Sequence, residues 1–550
     1  MSNNISRKDA LQKLGILAVS PMVPKFIRKA HKSRRPNIIW IIDDQFRADA
    51  CKREGFPLDT TPFLDRLAHN GTWFNKAYCA APACVPSRTS MVTGRWPNAT
   101  RVKSNWNIQN ATYKTHIFKV AKSQGYQTAL IGKNHTFLSA KDVDYWREYH
   151  HLGAANPTTD AEKKFNAYLR STHFYAHFKP APFPYQMQQP YRIVSDTQDW
   201  IKKIKGKDQP FFIEMSIPEP HNPYQVSEPY YSMFPPDKLP PVKAGAEVLP
   251  KLGKKWTLQK QLLDMGYHDY EKHIPRIRSN YYGMMRLVDD QIKRLVNFLK
   301  EENLYDNTII VHVADHGDFV GEYGLIKKGV GVPECLTRIP MVWHGPGILK
   351  NYQPRADHVS NVDLMPTFCE IMGAMSSGGN QYSEFSKHEG PGLPEGVDGR
   401  SLWPMLTGRQ YPKKEFASIL VQQGFGGLDY TSLNQLNPYK EGCLTKGKTK
   451  FDELNSYSQS GILRMLRKDD WKLVYDMQNR AKLYNLVDDP AELHDLYKEE
   501  GYEGKKLELL QDMLGWELRT QDPLPLPHRR YVMRRDPRNY WAPYRDENVE

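Results

Sequence analysis

The sequence predicts an α/β fold: a large, mainly parallel sheet sandwiched by helices, with a smaller antiparallel-sheet unit toward the carboxyl end. Three observations predict it. Apolar runs without polar alternation, such as Asn37 to Ile42 (NIIWII), read as strands buried on both faces. Segments with helical spacing and their own start and stop residues separate these runs, so strand and helix alternate. After about residue 455 the texture changes to short polar strands.

Taken in order, NIIWII is the first strand, and TPFLDRLAHNG follows as a short helix opened by Thr61 and Pro62 and stopped by Gly71. In CVPSRTSMVTG, Pro86 suits a first helical turn, Ser87 to Val92 continue it and Gly94 ends it. HIFKVAKSQGYQTALIGKNH repeats the theme, with a helix closed by Gly125 and a strand from Gln127 to Ile131. DTQDWIKKIKG leads into the strand PFFIEMSI. An apolar stripe at Met284, Leu287, Val288, Ile292, Leu295, Phe298 and Leu299 marks a long helix that feeds the strand NTIIVHVA. Residues 374–396 read as a surface loop. ILRMLRKDDWKLVYD and AKLYNLVDDPAELHDL read as antiparallel strands with a covering helix. The expected organisation is a leader over 1–35, a main α/β domain over 36–455 and a carboxyl-terminal α+β subdomain with a basic tail over 456–550.

Bulk properties narrow the function. The chain has 550 residues, 12% aromatic and 25% charged, which suits a folded protein with a large core. A net charge of +14 favours anionic partners, but it is dispersed and no nucleic-acid motif accompanies it, so no nucleic-acid partner is expected. The basic cluster PHRRYVMRRDPRNYWAPYR is either a surface tail or a polyanion site. Six widely spaced cysteines without a CxxC pair exclude a zinc module and a dense disulfide framework, leaving room for one or two bridges. No apolar run reaches the roughly 20 residues of a membrane span. The amino terminus, MSNNISRKDALQKLGILAVSPMVPKF, has the shape of a weak export signal and resembles a twin-arginine signal with Lys8 in place of the second arginine. It predicts a periplasmic or secreted protein, or a cytoplasmic one if the leader is not a signal.

The polar residues fall in a pattern. NIIWII ends in Asp43 and Asp44, TALI in Gly132-Lys133-Asn134-His135, FFIEMSI in PEPHNPY with His221, and IIVHVA in Asp315-His316-Gly317-Asp318. Ligands of open parallel sheets bind beyond the carboxyl ends of the strands, so four such ends can converge on one site. Taken singly, each cluster has a structural explanation as a helix cap, a turn or a hydrogen-bonded histidine. Asp43, Asp44 and Asp315 are hard oxygen donors suited to calcium or magnesium, and His316 can complete the set. Three carboxylates brought together would repel without a cation. Cys84 falls at the positive end of its helix, where a thiolate would be activated, or where a small buried cysteine would simply pack.

Cys84-x-Pro86-Ser87-Arg88 followed by Thr93-Gly94-Arg95 resembles the signature of type I sulfatases of the alkaline phosphatase superfamily. The likeness runs from about Pro36 to Leu496 and includes Gly-Lys-x-His, Pro-His-x-Pro-Tyr at 220–224, Asp-His-Gly, HGPG at 344–347, DLMPT at 363–367, DGRSL at 398–402 and LYNLVDDPAE. It implies an alkaline phosphatase-like fold and hydrolysis of sulfate esters of a sulfated carbohydrate. It also implies that Cys84 is oxidised to formylglycine (3-oxoalanine) by a formylglycine-generating maturation enzyme, and that one Ca2+ is held by Asp43, Asp44, Asp315 and His316 and contacts position 84. Arg88 would stabilise the formylglycine hydrate, and Lys133 and Lys328 would hold sulfate oxygens. His135 would assist sulfate release, and His221 would protonate the leaving alcohol.

Two departures accompany the likeness. Tyr323-Gly324-Leu325-Ile326-Lys327-Lys328 stands where the family often has His-Gly-Leu-Trp-x-Lys, leaving Lys327 beside Lys328 as a sulfate ligand. Asn134 takes a position commonly aromatic in relatives, which would alter the substrate pocket. Trp106, His150 and His151 are candidates for contacts beyond the sulfate, or plain surface and core residues. Two other functions stay open: a formylglycine-dependent phosphonate monoester or phosphodiester hydrolase, and a catalytically silent sulfated-glycan binding protein.

Overall fold

The computed structural model describes residues 35–111, 115–207, 209–374, 397–440, 442–444 and 451–520. Most of the expected leader, the loop beyond Ala374 and the basic tail lie outside the described residues. Fourteen strands are described: β1 (Asn37–Asp44), β2 (Thr72–Phe74), β3 (Ala77–Tyr78), β4 (Gln127–Gly132), β5 (Tyr145–His150), β6 (Gly153–Ala154), β7 (Phe211–Pro220), β8 (Thr308–Ala314), β9 (Met341–His344), β10 (Val359–Ser360), β11 (Ser418–Gly426), β12 (Gly461–Lys468), β13 (Trp471–Asp476) and β14 (Ala481–Asn485). Eight of them form one sheet in the order β2-β9-β8-β1-β7-β4-β5-β6.

β1 lies inside this sheet, paired in parallel with β7 on one side and β8 on the other. All eight of its residues are buried, which is why its apolar run has no polar alternation. β4 and β5 continue the parallel order, whereas β9 runs antiparallel to β8 and β6 to β5. The strand passes the expected end at Ile42: Asp43 pairs with Ile217 and Ala314, and Asp44 pairs with Pro220 across a register shift. Such an irregularity re-aims neighbouring side chains, here two consecutive carboxylates.

Helices cover the sheet in two groups. The helices Gln189–Ile204 and Tyr270–Glu301 pack on each other and on β7, and α1 (Pro62–His69) packs on the second of them. The stripe from Met284 to Leu299 is buried throughout. The second group includes α2 (Cys84–Thr93), which packs on the helix Leu364–Ile371, which in turn packs on the helix Ile117–Ser123. Phe368 of that group meets Trp40 at 5.4 Å and Phe212 at 5.3 Å between ring centroids, fixing the helix layer to β1 and β7. Burying each Phe ring contributes about 1.5–3 kcal/mol.

The smaller antiparallel sheet has the order β11-β12-β13-β14. The helix Glu503–Thr520 covers it through Leu509, Met513 and Trp516. Its first strand, β11, comes from before residue 455, so the sheet reaches back across the expected boundary. The apolar start of β11 (SILV) resembles a buried parallel strand, and only its partner β12 reveals its sheet. Trp96, just beyond α2, meets Trp516 edge-on at 5.6 Å and links the two regions. No helix among the described residues is long and apolar enough to cross a membrane.

Candidate active site

The site is assembled at the carboxyl ends of β1, β4, β7 and β8. Cys84 is the first residue of α2, 1% exposed, with Ala83 as the extended residue before it and Gly94 in the left-handed conformation (φ 66°) closing the helix. Val85 N–H donates to Asn105 Oδ1 at 3.0 Å, satisfying one of the orphan donors at this helix start. All six cysteines are buried, and Cys51, Cys79, Cys84, Cys335 and Cys369 are free thiols, so the expected room for a bridge is not used.

Around Cys84 the donor atoms of Asp44, Cys84, Asp315 and His316 lie within 4.8 Å of one another, all buried. His316 Nδ1 faces Gly317 O at 2.9 Å, and a carbonyl only accepts, so the proton sits on Nδ1. This leaves the Nε2 lone pair aimed at Cys84 Sγ (3.2 Å) and toward Asp315 Oδ1 (3.7 Å) and Asp44 Oδ1 (3.9 Å). Asp43 turns aside: its Oδ2 is 2.7 Å from His312 Nε2 on β8, while its Oδ1 is buried without a partner. Burial pushes the Asp43 carboxyl up despite His312. Two close carboxylates and an imidazole lone pair, next in the chain to a buried carboxylate oxygen without a partner, fit a divalent cation. With a thiolate at position 84 the set would suit a softer ion, whereas an oxygen-bearing group there makes it suit calcium.

Arg88, one turn along α2, spans the floor. Its Nε donates to Asp315 Oδ2 at 2.7 Å and its Nη1 to Ser216 Oγ at 2.7 Å, and Nη2 lies 3.4 Å from Asp44 Oδ2. Lys133 also pairs with Asp44 Oδ2. Burial pushes the Asp44 carboxyl up, but Lys133 and the neighbouring cations outweigh it and hold the group well below the usual carboxylate range. Burial and Asp44 likewise push the Cys84 thiol up, and Lys133 with Lys328 bring it below its ordinary value.

Lys133 owes its place to Gly132, where φ is +120° and an added Cβ would stand 1.8 Å from Ser216 O. The close approach of β4 to β7 therefore needs a residue without a side chain. Gly132→Ala is expected to destabilise the fold by about 3 kcal/mol or more and to cost over tenfold in activity by shifting Lys133. Thermal unfolding and steady-state rates on one preparation check both effects.

Glu214, on β7 beneath this floor, is buried with Oε2 unpartnered, and burial pushes its carboxyl up to about 8 against the pull of Arg88. The folded state therefore keeps a proton that the unfolded chain releases near its ordinary 4.5. The associated stability is present below the unfolded value and lost as pH rises toward the folded one. Glu214→Gln should match the parent near pH 5 and exceed it near pH 9 by on the order of 2–4 kcal/mol in urea unfolding.

The structure separates the two candidate lysines. Lys328 Nζ donates to Gln45 Oε1 at 2.6 Å and lies 3.1 Å from His221 Nε2. Lys327 Nζ is spent on Tyr267 Oη and Phe451 O, each at 3.0 Å. Glu453 clasps both, with one carboxylate oxygen 3.3 Å from each ammonium. Burial pushes Glu453 up, and the two lysines more than reverse this. Glu453→Gln leaves two buried ammonium groups short of their anion, and should lower stability by about 2–4 kcal/mol and raise KM more than it lowers kcat. Urea unfolding and a KM-against-kcat split measure this.

Three histidine rings form a row. His221 stacks on His151 at 3.7 Å, and His151 meets His135 edge-on at 5.4 Å. His221 Nδ1 faces Asn222 O at 2.6 Å and so carries a proton, leaving Nε2 as the exchangeable position beside Lys328. Burial and then Lys328 hold His221 well below its ordinary value. His135 Nδ1 is buried and unpartnered, on a residue in the left-handed conformation (φ 48°).

Other sequence candidates sit apart from this cluster. Trp106 is 68% exposed, with Nε1 donating to Leu454 O at 3.2 Å, next to Glu453. His150 is exposed at the end of β5. Asn134 braces its own turn, taking Thr136 N–H at 3.2 Å and donating to Leu138 O at 2.9 Å. Sequence reasoning missed Gln45 and Glu453. Gln45 takes Lys328, donates its backbone N–H to Asp315 Oδ1 at 3.0 Å, pairs with Asp318, and is itself left-handed (φ 66°). Its place directly after Asp43-Asp44 was the one available signal.

A family model described as Sulfatase matches residues 36–374. An arylsulfatase of Clostridium perfringens (strain 13 / Type A) is 24% identical over 523 residues, covering 89% of this chain and 95% of the relative. An N-acetylglucosamine-6-O-sulfatase of Bacteroides thetaiotaomicron is also 24% identical, covering 87% of this chain and 86% of the relative. Among solved structures, the phosphonate monoester hydrolase of Agrobacterium radiobacter superposes with a TM-score of 0.68 at 21% identity, over 88% of this chain and 96% of that one. That likeness establishes the alkaline phosphatase-like fold. The family match runs from the start of β1 through the helix Leu364–Ile371, more than half of the sequence, and takes in every strand end that builds the site: the chain belongs to the sulfatase family and is an enzyme of it.

Proposed function

We propose that the protein hydrolyses sulfate monoesters of a carbohydrate at the site centred on position 84. The observation that carries this is the buried cluster of Asp44, Cys84, Asp315 and His316 beneath two ammonium groups, Lys133 and Lys328. The names of the relatives, an arylsulfatase and an N-acetylglucosamine-6-O-sulfatase, support sulfate esters and sugars as the substrate class. Calcium held by Asp43, Asp44, Asp315 and His316, with a formylglycine at position 84, would supply a polarised hydroxyl nucleophile at neutral pH.

The chain's own residues do the rest. A sulfate ester carries its charge on the sulfur's oxygens, and negative charge builds on the departing alcohol as the S–O bond stretches. Lys133 and Lys328 bind and orient those oxygens in a site closed to bulk water, where fixed cations act strongly. Arg88, locked by Asp315 and Ser216, would stabilise the hydrate formed at position 84. His221 carries a proton at Nε2 to the leaving oxygen. Its depressed pKa makes the imidazolium a strong acid, and the negative charge of a bound sulfate favours loading it. His135, with Nδ1 unpartnered, is the base that assists sulfate release.

The basic, apolar leader fits export to where sulfated polysaccharide is met, and conversion of Cys84 requires a maturation enzyme. Comparing kcat/KM for an aryl sulfate and a matched aryl phosphonate monoester tests the reaction class. A preference for the sulfate is expected, and a preference for the phosphonate would overturn the assignment.

A further inference from the structure

A second cleft, of about 550 Å³, opens along edge strand β2, two strands away from β8. None of its lining residues belongs to the cluster around Cys84. Its volume is that of a small-molecule site. We propose that it is a non-catalytic carbohydrate-binding site that takes an unsulfated stretch of glycan.

One wall is aromatic. The Tyr352 ring, on a residue 67% exposed, stacks on His69 at 4.2 Å with an interplanar angle of 26°. Trp73, whose Nε1 donates to Tyr352 O at 3.1 Å, anchors the platform from beneath. The exposed ring is a flat apolar face such as the C–H face of a sugar packs against.

Beside this platform, other lining residues hold polar atoms that the fold leaves unanswered. Arg53 has a side chain only 1% exposed, pairs through Nη1 with Asp65 Oδ1 at 2.6 Å, and lies 5.8 Å from the centre of the Trp73 ring. Its Nε and Nη2 have no partner, nor do Glu54 Oε1 and Asn75 Oδ1. Buried donors and acceptors left open in one place are costly unless something completes them. A free anion would satisfy Arg53 but face two unpaired acceptors. A sugar hydroxyl both donates and accepts, so it suits a lining whose residues carry both kinds of open group. The charges lining the cleft also balance, Lys52 and Arg53 against Glu54 and Asp65, which gives no pull on a polyanion.

The inference does not depend on the reaction at Cys84, because binding alone tests it. Full-length protein would be titrated by calorimetry with sulfate-free tetrasaccharides of glucose, galactose, mannose and xylose, and with inorganic sulfate. Saturable binding of at least one tetrasaccharide is expected, weakened about tenfold by Tyr352→Ala and by Asn75→Ala. Tyr352→Ala removes only an exposed ring and keeps the backbone carbonyl that holds Trp73, so its melting temperature and its turnover of a small aryl sulfate should stay unchanged. Absence of binding to all four sugars, equal binding by parent and Tyr352→Ala, or a response to inorganic sulfate alone would each overturn the proposal.

Discussion

Cys84→Ala is expected to cut sulfate release by at least about 10⁴-fold while leaving the fold intact. Cys84 is 1% exposed, at the start of α2, and its Sγ is 3.2 Å from His316 Nε2. On the proposed mechanism, removing the group that meets Asp44 and His316 takes away the nucleophile. The helix should persist, because Gly94, the Asn105 bond to Val85 N–H and the Arg88 contacts do not involve the thiol. Circular dichroism and melting temperature close to the parent would confirm this. In the active parent, the peptide carrying position 84 should be lighter by the difference between a thiol and an aldehyde. A variant that retained parental activity would remove Cys84 from the chemistry.

His221→Ala should produce the next largest loss, and one that depends on the leaving group. For a sugar sulfate, whose alcohol is a poor leaving group, loss of the general acid is expected to cost about 10²–10⁴-fold in kcat. For a nitrophenyl sulfate, whose phenolate departs without help, the same variant should lose no more than about tenfold. The ring's setting suits the proposed role, since Nδ1 is tied to Asn222 O, His151 stacks on its face, and Nε2 is left to exchange beside Lys328. Equal losses on both substrates would assign His221 to sulfate binding instead, alongside Lys328 at 3.1 Å.

The fold and the convergence of the polar strand ends were largely legible in the sequence because local signals carry them. A strand buried on both faces must be apolar along its length, as NIIWII is, and its end must supply whatever polar groups the site requires. Asp43, Asp44, Lys133, His221, Asp315 and His316 all stand at such ends. What remained hidden depends on distant pairing. Glu453 meets Lys327 and Lys328 across more than a hundred residues, inside a stretch without periodicity. The stacking of His151 on His221 is set by the course of the chain after β5, and the left-handed conformations of Gln45 and His135 have no mark in their residue types. β11 was hidden for the same reason: its register exists only against β12.

The choice between the two lysines shows how structure adds to sequence. Adjacent residues point in different directions, and only packing decides which one faces the site. Lys327 is left-handed (φ 64°) and turned toward Tyr267 and Phe451, so Lys328 is the ammonium left beside Gln45 and His221.

Ion chromatography of inorganic sulfate, released from a panel of sulfated mono- and oligosaccharides by protein produced together with a formylglycine-generating enzyme, tests the central claim most directly. Sulfate should appear with at least one sugar and be absent with Cys84→Ala. Protein with position 84 converted and calcium bound that released no sulfate from any sugar or aryl ester, yet turned over phosphonate monoesters, would contradict it.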